Sequence, residues 1–314
     1  MNRKKFISLL TLFLLPLLVL PQIAANAVVK LSGNFAKIYK DSSLKKKFYL
    51  FLKNIFNLIP EQEFHDLIAK VTNKKNSDKE IYLEVQKKLD NITPLLSTFT
   101  HQLPSLKKQK KEMAKQAVEL LGKDTSYDGY LEIGSAGRYL DYLEEEVNIN
   151  GERYYAAEKR PGYSITEMID RGQITVGANY IPLASYHTNY AELIPQGTLD
   201  LVTVYIGFHH CPLHLRVKFI SSIATTIRKG GKLILRDHDC DNENQKTIVA
   251  LAHDVFNLGT NQTWQYNQDE IRNFYTLDFI IEFVEKLGFK FEGKSIFQKG
   301  DPTKNALILF TKIN

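Results

Sequence analysis

Three stretches carry residues fit for chemistry. YLEIGSAGRYL (Tyr130–Leu140) runs from apolar residues through Glu132 to Gly134, Ala136 and Gly137, then into what reads as a helix start. HHCP (His209–Pro212) and RDHDCD (Arg236–Asp241) each follow an apolar run and place imidazoles, thiols and carboxylates at its end. A strand, a glycine turn and a helix start together cradle nucleotide-like ligands, because glycine lets the backbone approach and the helix supplies amide donors. The dinucleotide version needs G-x-G-x-x-G. Here Ala136 and Tyr139 hold the second and third places, and a tyrosine would block close helix–strand packing. The G-x-x-x-x-G-K-[ST] string of a P-loop does not occur in this stretch. In the other two stretches, a histidine oriented by Asp237 could act as a general base. Two cysteines with several histidines suit tetrahedral zinc, but no C-x-x-C or H-x-x-x-H spacing supports it and no metal ligand is assigned. A Cys211–Cys240 disulfide would need Cα atoms within about 7 Å. Ordinary loop polarity with two buried thiols accounts for the same residues without any chemistry.

The surrounding elements fall into two textures. Residues 28–122 read as helical: KKKFYLFLKNIFNLI (Lys45–Ile59) repeats apolar residues at helical spacing, EQEFHDLIAKV and IYLEVQKKLDNI follow between polar breaks and prolines, and SLKKQKKEMAKQAVELLG ends on Gly122 as a C-cap. Residues 28–120 hold 18 Lys against 10 Asp and Glu within a chain of net charge +6. That basic region suggests an anionic neighbour, and Lys45–Ile59 could lie on a membrane surface, although packing into a core explains the same pattern. From residue 123 to 314 short β-rich runs alternate with helical ones, which predicts βαβ units and a mostly parallel sheet. LDLVTVYIGF and KLILR are continuous apolar runs, as strands covered on both faces must be. GFKFEGKSIFQ and NALILFTKI predict a terminal antiparallel hairpin.

Residues 1–27 have the layout of a secretory signal peptide: cationic MNRKK, a 16-residue apolar run broken by Pro16, and small residues Ala25 and Ala27 at an Ala-x-Ala site. The expectation is an exported chain, periplasmic or secreted. An uncleaved membrane anchor at residues 6–21 is the alternative, though that run is short of the roughly 20 apolar residues a spanning helix needs.

The ordered set from residue 126 onward resembles the class I S-adenosylmethionine-dependent methyltransferases. Their first motif is an acidic residue and G-x-G-x-G; this chain has Glu132, Gly134, Ala136, Gly137 and Arg138, keeping the acid and the first glycine. RYYAAEKR supplies Glu158 at the end of a second strand, where the family binds the ribose hydroxyls. A carboxylate can accept both hydrogen bonds of a vicinal diol. VGANYIPL, with Ala178 and Asn179, resembles the segment that lies against adenine, and LDLVTVYIGFHHCP, with Tyr205 and Gly207, resembles the fourth strand and reaction loop. IRKGGKLILRDHD resembles the glycine turn and fifth strand, FYTLDFIIEFVEKLGF the helix before the sixth strand, and the tail the reversed seventh. The resemblance implies a Rossmann-like, doubly wound seven-stranded sheet behind an N-terminal helical region. It implies S-adenosyl-L-methionine as cofactor and a methyl acceptor that the sequence does not name, with a small molecule or lipid favoured over nucleic acid. It also brings HHCP beside RDHDCD, with His210, His209 and Asp237 as candidate catalytic residues and His238 a bystander pointed away from Asp237 by strand alternation. Tyr39, Trp264 and Tyr266 are aromatic candidates for an acceptor pocket. The altered glycines leave open a non-catalytic binding module on the same fold, and the rim at 209–211 and 237–240 a metal-dependent enzyme.

Overall fold

In a computed structural model of the chain, the described residues are 33–93, 103–135, 137–162, 168 and 177–314. The expected signal-peptide segment, Ala136, the break at Pro94 and most of the expected helix after Glu158 lie outside them. The described residues form one compact unit.

The helical region contains α1 (Asn34–Tyr39), α2 (Ser42–Phe51, continuing as a π-turn through Leu52–Phe56), α3 (Glu61–Thr72), α4 (Asp78–Lys88) and α5 (Leu103–Leu121). Local chemistry sets their ends. The Asp41 carboxylate accepts from Leu44 N at 2.8 Å to start α2, and Ser77 Oγ accepts from Glu80 N to start α4 while Glu80 reaches back to Asn76 N. These contacts satisfy amides that have no partner inside the helix. Gly122, at φ +92°, closes α5 as expected.

Seven strands follow: β1 (Ser126–Ile133), β2 (Asn148–Ala157), β3 (Asn179–Pro182), β4 (Leu199–Val204), β5 (Ile227–His238), β6 (Phe289–Phe297) and β7 (Asn305–Lys312). Their order is β3-β2-β1-β4-β5-β7-β6. The first five are parallel, and β7 runs antiparallel to both β5 and β6, so the predicted terminal hairpin is present. The predicted Rossmann-like doubly wound architecture is the one found. Gly288–Ser295 spells the P-loop string, but it runs from a turn into β6, and a phosphate cradle needs a loop opening a helix. Between the strands lie α6 (Leu140–Leu143), α7 (Tyr190–Leu193), α8 (Arg216–Thr226), α9 (Glu243–Gly259), α10 (Trp264–Asp269) and α11 (Leu277–Glu285).

One apolar layer joins β1, β4 and β5 to α8 and α11; another joins α5 and α6 to the opposite face. A third unites the N-terminal helices with α9: Phe35, Phe48, Leu52, Phe64, Ile81 and Tyr82 close against Ile248, Leu251, Val255 and Leu258. Gly259 lets this happen, since a Cβ there would lie 2.5 Å from the Phe56 ring. In Lys45–Ile59 the residues Phe48, Phe51, Leu52, Phe56 and Ile59 are buried. The apolar face that a membrane would have needed is therefore inside this core.

Candidate functional site

The strand order reverses between β1 and β4, and in such sheets ligands lie outside the carboxyl ends beside that reversal. The glycine turn begins there. Gly134 donates its N–H to Ala156 O at 2.8 Å and sits at φ +89°. A Cβ at Gly134 would come within 2.3 Å of Ile206 Cβ, so glycine is needed both for the dihedral and for the approach of the β4 loop. Gly137 also has positive φ. Glu132 lies beneath the turn and is 0% exposed. It accepts from Ser135 Oγ, from Tyr139 N at 3.4 Å and from Tyr130 OH at 3.2 Å. Burial raises its pKa to about 7. Glu132 therefore shapes the turn from below and does not face a ligand. The expected helix after the turn is the single turn α6, too short to contribute a helix dipole.

Glu158 follows β2 and is exposed at the same rim. Both its oxygens accept from Ser185 N, at 3.0 and 3.2 Å. Ala184, Ser185 and Tyr186 all have positive φ, between 49° and 69°, in the turn just beyond β3. The adenine assignment to Ala178 and Asn179 is corrected by the strand itself. β3 starts at Asn179, which pairs with Tyr154, so these residues lie at its amino end, and Asn179 bonds Glu152 instead. The carboxyl end of β3 is Pro182, and the segment at the rim is Leu183–Tyr186. Tyr205 is 2% exposed, its ring packed 4.5 Å from that of Tyr139. It supports the rim from within, and Gly207 is the part of that loop that reaches it. Tyr39 bonds His65 at 3.2 Å and Trp264 packs on Tyr82, both within the helical core. Both rings are engaged with that core.

At the ends of β4 and β5 the two histidine-bearing stretches do meet. Phe208–His210 forms a 3-10 turn, and Asp237 and His238 end β5. Asp237 accepts from His209 N at 2.9 Å and pairs with His209 Nδ1 at 2.7 Å. Asp237 thus orients His209, not His210. A Cβ on Gly207 would strike the His209 ring at 2.2 Å. The sequence reading missed His253, from the middle of α9, whose Nε2 lies 3.0 Å from His209 Nε2. His238 also reaches this rim, its ring centroid 5.4 Å from that of His209. Burial holds His209 and His253 well below the usual imidazole pKa, pushes His238 down to about 3, and lifts Asp237 to about 6. Cys211 and Cys240 are free thiols, each pushed up to about 12 by burial. The two are not bonded to each other, and Cys211 belongs to the apolar core.

No protein-family model matches the chain, and no curated protein matches it by sequence. Among solved structures it is similar to the Burkholderia thailandensis 1,6-didemethyltoxoflavin-N1-methyltransferase, determined with 1,6-didemethyltoxoflavin and S-adenosylhomocysteine. The identity is 12%, covering 65% of this chain and 79% of that one, with a TM-score of 0.42. It is similar to a putative methyltransferase solved in complex with the Haloferax volcanii Trm112 activator, at 12% identity over 68% and 93% of the two chains and a TM-score of 0.46. It is also similar to an Aquifex aeolicus SAM-dependent methyltransferase, at 13% identity over 67% and 98% and a TM-score of 0.43. By its own strand order and single reversed strand, the chain has the class I methyltransferase fold.

Proposed function

We propose that the protein is an S-adenosylmethionine-dependent methyltransferase acting on a small-molecule or lipid acceptor. The observation that carries this reading is the pairing of two features across the sheet's reversal. One is a turn that only Gly134 can make; the other is an exposed Glu158 carboxylate at the end of the next strand. The residues fit the cofactor. Glu158 is exposed at the rim and keeps lone pairs beyond those given to Ser185 N for a ribose diol. The bound cofactor would supply an electrophilic methyl group on a sulfonium. The chain's own contribution is orientation, which is worth much of the rate in a displacement reaction. In this reading the acceptor lies toward the ends of β4 and β5, near His210.

Calorimetric titration with S-adenosylmethionine and S-adenosylhomocysteine, on the wild type and on Glu158→Ala, tests the reading. Micromolar binding, weakened at least about tenfold in the variant through loss of two charge-assisted hydrogen bonds, supports it. No binding by folded protein removes it, and binding without turnover on any acceptor leaves the non-catalytic module. Export or membrane attachment is part of the same proposal and rests on residues 1–27. N-terminal sequencing of protein from fractionated cells tests it: a start at Val28 supports a cleaved signal, and an intact Met1 in the membrane fraction supports the anchor.

A further inference from the structure

Each histidine of the rim holds its Nδ1 against an oxygen. His209 Nδ1 meets Asp237 at 2.7 Å, His210 Nδ1 meets Ile271 O at 2.9 Å, and His253 Nδ1 meets Val249 O at 2.8 Å. A backbone carbonyl only accepts, so in His210 and His253 the proton sits on Nδ1 and the neutral ring leaves Nε2 as a bare lone pair. An ionised Asp237 imposes the same tautomer on His209. The His209 and His253 Nε2 atoms then face one another at 3.0 Å, lone pair to lone pair. That contact is repulsive unless something positive lies between them. One coordinating atom from each of His209, His210 and His253 falls within 4.8 Å of the others. Two nitrogens bound about 2.0–2.1 Å from one tetrahedral zinc ion lie about 3.3 Å apart, close to the spacing found.

We infer that His209, His210 and His253 form a binding site for one divalent transition-metal ion, zinc by preference, through their Nε2 atoms. The outer oxygens are what such a site requires. A carboxylate on His209 and backbone carbonyls on His210 and His253 fix each tautomer and aim each ring. Imidazole ligands suit zinc and its neighbours in the first transition row. Of the two guanidinium groups that act on His209, Arg272 is matched by Asp254 at 2.7 Å and Glu270 at 2.8 Å, and Arg236 donates to Asn305 Oδ1 at 3.0 Å and Tyr205 O at 3.2 Å. Phe274 packs within 6 Å of both the His209 and His253 rings and gives the site an apolar side. Three protein nitrogens leave a fourth position open for an anionic oxygen or sulfur ligand, the arrangement of zinc sites that act on bound groups. The site stands on its own geometry and does not depend on the methyltransferase reading.

A proton shared between His209 and His253 is the competing explanation of the close contact, and metal measurements separate the two. The full-length protein, stripped with a chelator, is titrated with Zn2+ by calorimetry and elemental analysis, and with Co2+ by its visible absorption. The expected result is one equivalent of either ion per chain. Affinity should fall more than about 100-fold in His253→Gln and about 10- to 100-fold in Asp237→Asn. It should be unchanged in His214→Ala, an exposed histidine outside the cluster. Less than stoichiometric binding by the wild type overturns the inference whether or not the variants fold. So does wild-type affinity in folded His253→Gln.

Discussion

Replacing Glu132 with glutamine should stabilise the protein, and increasingly so as the pH rises. The Glu132 carboxyl is fully buried, and its pKa stands at about 7 instead of 4.5, chiefly through desolvation. An acid whose pKa is higher in the folded state binds its proton more tightly there. Its contribution to stability is therefore greatest below the unfolded pKa, declines as the pH rises toward 7, and is level above it. A displacement of about 2.5 units at about 1.36 kcal/mol per unit gives a loss of about 3 kcal/mol between pH 4.5 and pH 8. Glutamine keeps the shape, can still accept from Tyr139 N or Ser135 Oγ, and carries no charge. Urea unfolding of wild type and Glu132→Gln at several pH values isolates the residue, because other titrating groups cancel in the difference. The stability difference should move by about 3 kcal/mol in favour of the variant across that range, with its midpoint between pH 5 and 7. A difference independent of pH would show that Glu132 is hydrated or paired when folded. The turn above it would then owe nothing to a neutral acid.

Two glycine substitutions probe the rim. Gly134→Ala should cost at least about 2 kcal/mol in urea unfolding, because it combines positive φ with a Cβ 2.3 Å from Ile206 Cβ and 2.6 Å from Ile206 N, and backbone cannot yield as a flexible side-chain end could. Gly207→Ala has ordinary φ but meets the His209 ring at 2.2 Å; it should cost about 1–3 kcal/mol, and that loss should shrink in His209→Ala, which a thermodynamic cycle would read.

The parts of the fold visible in the sequence were those whose physics is local. β4 and β5 are covered on both faces, so they show as unbroken apolar runs, and the Gly134 turn shows because only glycine can make it. Glu158 could be placed by counting from the end of β2. The error at Ala178 and Asn179 arose because β3 is four residues long. In so short a strand, a shift of a few residues carries a contact from one end of the sheet to the other. His253 had no spacing signal, being 44 residues from His209 and joined to it only by the docking of α9. Its one local mark is a histidine within the largely apolar IVALAHDVF, where burial demands polar partners. Glu132 was recognised as a motif residue, but sequence does not distinguish a carboxylate that faces a ligand from one beneath the turn.

The N-terminal helices do more than precede the sheet. They grip α9 through Ile248, Leu251, Val255 and Leu258, and α9 is the element that carries His253 to the ends of β4 and β5. Stability of the helical region and order at the histidine rim should therefore be lost together. Phe48 is 0% exposed in that shared core, and Phe48→Ala should cost about 3–5 kcal/mol from lost burial and the cavity left behind. The chain has one tryptophan, Trp264, half-buried against Tyr82 of α4 with ring centroids 5.4 Å apart. Its fluorescence reports the helical core, while far-ultraviolet circular dichroism reports the whole backbone. If the core joins the helices and sheet into one cooperative unit, the two urea transitions coincide in the wild type and shift together in Phe48→Ala. A variant in which tryptophan fluorescence changes first, with most of the dichroism retained, would mean that the helices unfold from an intact sheet. The seating of His253 would then rest on the sheet side of α9 alone, through the His209 and Phe274 rings that pack against it.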